Sequence, residues 1–277
     1  MNRRLLKRQQ GLNLIELMIA ITIGIFISLM VVQYLVTSSR LFKQQGVDTN
    51  LESNGTFAIS YLSQFIRQAG SRSPTGSDVP FYVGDCDDDP CTFNSDDSGV
   101  SDQLAVQMFP VNNRDCVNNA VDDGIRIANV FFVADSDTGA VSDSCGIDDQ
   151  ECALFCRGFS VSDQNWLGDA VALIDGVDQL QVLYGVSNDV GQIDRYVDAE
   201  RVPAPGATGI EIQNAWDKVR SVKLAVLVSD GQNTGTEIQE ARSYQLLDSP
   251  TITFNDRVSR KIYSTTVTIN NLSLIHI

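Results

Sequence analysis

The chain has 277 residues, with 20 basic against 35 acidic side chains, a net charge of −15 and one histidine, His276. An acidic balance of this size argues against a nucleic-acid interface, where phosphate contacts need lysine and arginine. With no usable histidine, His276 standing at the extreme end, no Ser-His-Asp or Cys-His arrangement is expected, and neither a phosphate loop nor a dinucleotide fingerprint is present, so the chain does not read as an enzyme.

Residues 1–11 form a leader with Arg3, Arg4, Lys7 and Arg8 and no acid, so the chain beyond it carries 16 basic and 35 acidic residues, a net −19. Gly11 follows, then about 25 mostly apolar residues to Val36, enough to span a bilayer as one helix. Positive flanks stay cytoplasmic, so the leader reads as inside and the rest as exported. A secretory signal would have an apolar stretch of about 7–15 residues and then a small-residue cleavage site. This stretch is longer and lacks such a site, so it reads as retained, with processing at Gly11.

Inside the apolar run sits one carboxylate, Glu16. An acidic side chain near a membrane helix centre costs roughly 2.5–3.5 kcal/mol, and less near the interface. It needs a partner. Cleavage after Gly11 frees an ammonium on Leu12, one helical turn from position 16 on the same face. That amine can neutralise Glu16 within its own chain or in a neighbour packed in parallel, where the pair becomes an assembly signal.

The segment GLNLIELMIAITIG resembles the class III signal of type IV prepilins and pseudopilins, and Gly11, Leu12 and Glu16 match its motif position by position. The resemblance implies that a prepilin peptidase cuts after Gly11, that Leu12 is then N-methylated, and that Glu16 guides subunits into a filament. Leu12 is a mild departure, since phenylalanine is commoner there.

The helix is expected to continue beyond the membrane, as residues 37–69. Leu51, Ala58, Leu62, Phe65, Ile66 and Ala69 fall close to a 3.6-residue stripe. No proline occurs before Pro74. Gly46 and Gly55 each weaken the helix by about 1 kcal/mol and permit a bend. Gly70 and Ser-Arg-Ser-Pro end it. At 1.5 Å per residue, Leu12–Ala69 spans about 87 Å.

Residues 70–277 are the expected exported domain, of a size to bury one core. Within it, 71–160 is loop-rich, with acidic turns in DCDDDPC and SDDSGVSD. Strands are predicted at 101–109, at 127–135 and, shorter, at 152–159. The stretches 112–124 and 136–152 read as loops tied by cysteines. In 169–186 a short apolar segment, a turn and an alternating strand from Leu180 to Tyr184 follow one another. Residues 187–206 read as a loop, Asn214 to Val219 as a helix turn, 221–230 as a strand, 231–250 as polar connection and 260–271 as the last strand.

Six cysteines, Cys86, Cys91, Cys116, Cys145, Cys152 and Cys156, all follow the membrane segment. An even count in an exported domain suggests disulfides. Cys86 and Cys91 bracket a short Asp-Pro loop, which favours a local pair. Cys152 and Cys156 would face each other on a helix, though partners elsewhere serve equally. Zinc is disfavoured by the absence of a CxxC pair. Calcium has a weak candidate in Asn94, Asp96, Ser98 and Asp102 around Gly99, which echoes an EF-hand start but has Ala105 where the bidentate glutamate belongs. Asn188, Asp189 and Asp194 around Gly191 form a second, degenerate candidate, and ordinary turn chemistry explains both. No other cofactor is expected.

LIDGVDQLQVLYGV, DRYV, WDKVRSVKLAVLV and RKIYSTTVTINN are similar to the PilW-type minor pilins. The loop from Ser187 to Asp194 is shorter than in many members, and residues 71–160 read as variable insertion. The resemblance implies an α+β, type IV pilin-like fold, a long helix packed on an antiparallel sheet. It also implies a structural role in pilus assembly or priming, with other minor pilins at the tip, in adhesion and twitching motility. Its partners would be minor and major pilins, the peptidase and the inner-membrane assembly machinery. The chain would sit as a single-pass inner-membrane protein with a periplasmic domain, then enter an extracellular pilus. Two alternatives stand beside this: a type II secretion pseudopilin of the J kind, and a helix-anchored adhesin. The final LSLIHI is apolar and has no physical account.

Overall fold

A computed structural model describes residues 13–71, 79–87, 89–95, 97, 99–110, 112–141, 145, 150–188, 190–230 and 241–270. Gly11, Leu12, Asp96, Ser98, Asp189 and the final LSLIHI lie outside them. The chain divides into two compact units, Met1–Gly46 and Val47–Ile277. One helix, α1 (Leu14–Gln68), forms the described structure of the first and opens the second. It is α-helical throughout, Gly46 and Gly55 included. Asn13 supplies the carbonyl that accepts from the amides of Glu16 and Leu17.

In the second unit α1 buries one face: Leu51, Gly55, Ala58, Leu62, Ser63 and Ile66. The predicted stripe is therefore the core face, with Phe65 only partly buried. Each large apolar side chain here contributes roughly 1.5–3 kcal/mol by leaving water.

The chain next forms a small hairpin, β1 (Asp85–Cys86) on β2 (Asp89–Pro90). A five-stranded antiparallel sheet follows, from β3 (Leu104–Met108), β4 (Ile127–Asp135), β5 (Cys152–Ser160), β6 (Asn165–Trp166) and β7 (Val171–Asp175). Its order is β3-β4-β5-β6, and β7 pairs with β5 as well. The region expected as loop-rich insertion thus holds most of a sheet. Its strands read as continuous apolar runs because both faces are covered. Ile127, Phe131 and Val133 enter the main core, while Ala128 and Val130 pack with Phe159 and the Cys86–Cys91 disulfide.

The second sheet holds β8 (Val177–Ser187), β9 (Ile193–Val197) and β10 (Val219–Ser229). The short helix α2 (Ile210–Trp216) precedes β10. The hairpin β11 (Arg242–Tyr244) and β12 (Ile252–Phe254) comes next, and β13 (Arg260–Thr268) closes the chain's order. This sheet is four-stranded and antiparallel, in the order β13-β10-β8-β9. Val222, Leu224, Val226 and Val228 of β10 face the core that α1 also enters. The other face puts Ala225 and Leu227 under the β11–β12 hairpin, against Leu246, Ile252 and Phe254.

Several expectations are corrected. DRYV, read as loop, is the edge strand β9, pairing with Tyr184 to Ser187. β11 falls in the stretch read as polar connection, and β12 follows a few residues on. β8 begins three residues before the alternation, because Gln179 and Gln181 at its polar positions are themselves buried, each donating to the Val100 carbonyl at 3.4 and 3.3 Å. α2 starts four residues before Asn214 and ends before Val219.

The passage between the sheets is a single residue. Gly176 lies between β7 and β8 with φ +74°. Its amide donates to Cys152 of the five-stranded sheet at 2.8 Å, and its carbonyl accepts from Ser229 of the four-stranded sheet at 2.7 Å. The left-handed backbone favours glycine, and a side chain here would also meet the Ser229 carbonyl.

Candidate functional site

The site is the first unit's helix surface. From Leu17 to Ser39 no residue carries a formal charge. Leu14 to Val36 covers about 35 Å at 1.5 Å per residue, against a hydrocarbon core of about 30 Å. None of these side chains is buried; Leu14 is 73 % exposed and Phe26 66 %. A helix apolar on all sides, with its side chains exposed among the described residues, is suited to lipid or to other apolar helices. This is the one helix among the described residues long and apolar enough to cross a membrane.

Two of its polar side chains are satisfied within the helix. The Thr22 hydroxyl donates to the carbonyls of Met18 and Ile19 at 3.1 and 2.9 Å, and Ser28 to that of Gly24 at 2.8 Å. Without water, each such group has to find an internal acceptor. Glu16 is the exception by charge. It sits in the first turn, where the exposed amides of a helix N-terminus favour an anion. Leu12, whose freed amine is the expected counter-charge, lies outside the described residues with Gly11.

The structure pairs all six cysteines: Cys86–Cys91, Cys116–Cys156 and Cys145–Cys152. Cys152 and Cys156 lie on β5, not on a helix, and bond to different partners. Four residues apart on a strand they share a face, but about 13 Å of extended backbone separates them.

Of the calcium candidates, Asn94 and Asp102 are buried, and Asp96 and Ser98 lie outside the described residues. Asp102 has a different occupation. Its carboxylate oxygens accept from the amides of Ser95 at 3.0 Å and of Val182 at 2.7 Å, and its own amide donates to Leu180 at 2.9 Å. It fastens the 93–103 loop to the edge of β8. Burial pushes its pKa up to about 7 against the pull of both amides, and Asp248 and Asp198 push the same way. In the second candidate, the Asn188 side-chain oxygen is taken by the amides of Val190 and Gln192. No cluster of three or more His, Cys, Asp or Glu side chains suited to a metal occurs among the described residues.

Two joints between α1 and the sheets were not legible as such. Gly55 lies under the Tyr263 ring of β13 so closely that any Cβ would overlap it. Beside it, Lys261 donates to Glu52 at 2.7 Å, which holds the Glu52 carboxyl below its usual pKa. Further along, Tyr61 and Phe65 meet Phe131 of β4 edge-on at 6.2 and 5.3 Å. A buried ion pair locks β13: Arg260 donates to Asp178 of β8 and to Asp256, each at 2.8 Å, and Ser229 donates to Asp178 at 2.7 Å.

A family model described as type IV pilus-assembly protein W matches residues 130–271. The match takes in β4 from Val130 onward and all of β5, so the span 130–160, expected as variable insertion, lies inside the family pattern. Among solved structures, a type IV-like pilin from Thermus thermophilus is similar, with 13 % identity, 80 % of this chain and 98 % of that chain covered, and a TM-score of 0.40. Among curated proteins, none matches.

Proposed function

The chain belongs to the type IV pilus-assembly protein W family, and we propose that it is a minor pilin, processed at Gly11–Leu12 and incorporated with other pilins during assembly or priming of a type IV pilus. The observation that carries this reading is the exposed apolar surface from Leu14 to Val36 with Glu16 as its only formally charged residue. Such a surface serves twice. In the membrane it anchors the chain, and in a filament it packs against neighbouring pilin helices. Glu16 supplies direction, because its charge is best neutralised by the freed ammonium of a processed chain alongside.

On this reading the role is structural, and the second unit is the head that meets neighbouring heads. The peptidase acts on the leader side, the head lies in the periplasm before assembly, and the tip is where a low-abundance pilin would sit. Mass spectrometry of the mature N-terminus is the direct test of processing: an N-methylated Leu12 is expected, and a chain still carrying Met1 to Gly11 would refute it. Glu16→Ala should leave cleavage largely intact and reduce incorporation into sheared pili severalfold, measured by immunoblot. Normal incorporation would remove the charge-pairing account. Co-purification with pilus components, not secretion components, separates this reading from a pseudopilin.

A further inference from the structure

Two cations, Arg40 and Lys43, follow the apolar run of α1. They are the first charged residues after Glu16, and the next, Asp48, is five positions beyond Lys43. In a chain with 35 acids and 20 bases, the apolar run is thus closed by two cations. Both lie on α1, exposed and three residues apart on neighbouring faces, and no ion pair holds either among the described residues. Around them, Tyr34, Leu41 and Phe42 are 72 %, 54 % and 71 % exposed. Exposed aromatic and apolar side chains interleaved with cations are out of place in water and suited to a membrane–water boundary.

The spacing agrees. At 1.5 Å per residue from Leu14, Tyr34 lies about 30 Å along the helix, Arg40 about 39 Å and Lys43 about 44 Å. A hydrocarbon core of about 30 Å therefore ends near Tyr34. A tilt of about 20° and the reach of two long stems bring both cations to the headgroups of that leaflet.

We propose that Arg40 and Lys43, framed by Tyr34, Leu41 and Phe42, form an interfacial collar that binds the phosphates of anionic phospholipids in the leaflet away from the leader. The inference rests on the membrane-anchored reading above. Arginine and lysine stems lie along the acyl boundary while their heads reach phosphate. The four leader cations still outnumber these two, so the orientation preference is kept. The collar sets the depth at which the helix leaves the bilayer, and it must be released when the chain is drawn into a filament.

The test uses the full chain reconstituted in phosphatidylcholine, with spin-labelled phosphatidylglycerol or spin-labelled phosphatidylcholine as the probe lipid. Electron paramagnetic resonance reads the fraction of probe immobilised against protein. Wild type is expected to select phosphatidylglycerol, and Arg40→Gln with Lys43→Gln should lose about fivefold of that selectivity per charge removed. The leader, unchanged in both, cancels from the comparison, and circular dichroism checks that the helix is kept. Equal selectivity in wild type and variant overturns the collar while leaving the anchor intact. Loss of pilus incorporation by the variant with no change in lipid selectivity also overturns it, and assigns the two cations to a neighbouring protein. Absence of immobilised lipid of either kind refutes the anchor itself.

Discussion

Replacing Asp102 with asparagine should remove a pH dependence from the stability of the head. Asp102 is 2 % exposed and its carboxyl is pushed up to about 7, mainly by burial. Its folded-state pKa is thus raised above the ordinary carboxylate value, so the stability linked to its proton is present in full below about pH 4 and is lost as pH rises through about 7. With an unfolded value near 3.9, the linkage gives a loss of about 2.5 kcal/mol between pH 5 and pH 8. The Asp102→Asn chain keeps the size of the side chain but does not titrate. It leaves one backbone amide facing an NH₂ group and should cost about 1–3 kcal/mol, independent of pH. Urea denaturation of the full chain in detergent would measure this, with disulfides intact. Trp216 is a suitable probe, because it is buried against Tyr184 at 4.7 Å between ring centres. The wild-type free energy should fall toward that of the variant as pH rises from 5 to 8. Wild-type and variant profiles that stay parallel over that range would refute the reasoning.

Other outcomes are expected from the joints of the head. Gly55→Val should push against the Tyr263 ring and destabilise by about 1–3 kcal/mol; Tyr263→Ala in the same chain should recover part of that, and a fully additive loss would show that the contact is not the cause. Arg260→Met leaves Asp178 buried without its cation and should cost roughly 3–5 kcal/mol in urea denaturation, whereas the double change with Asp178→Leu should cost much less. Losing the Cys116–Cys156 bridge, which closes a separation of 40 residues, should cost about 4 kcal/mol in the chain-entropy account, against about 2 for Cys86–Cys91 with its separation of 5. Equal losses in the paired serine variants would argue against loop closure as the source.

The sequence showed most clearly what a local pattern can carry. IANVFFVAD is the strand β4 to the residue, because an apolar run of that length bounded by turns has few other uses. The stripe from Leu51 to Ile66 is the buried face of α1, since helical period and burial are the same geometry. What was missed depends on partners far along the chain. IDRYV is a strand only because the end of β8 leaves an edge for it, and its own polarity reads as loop. Cys152 and Cys156 bond in different directions because β5 lies between two loops, which spacing alone does not reveal. Gly55 looked like a helix weakness and is a seat for an aromatic ring. At the candidate surface the reverse held: apolar length and a single carboxylate are local properties of the stretch Leu14 to Val36, so they were readable at once.

Gly176 has a mechanical consequence. Because one residue is tied to Cys152 through its amide and to Ser229 through its carbonyl, a force that draws the sheets apart must break both bonds at the same residue. The two sheets should therefore begin to part at Gly176 only when both bonds fail together, which couples their opening under load.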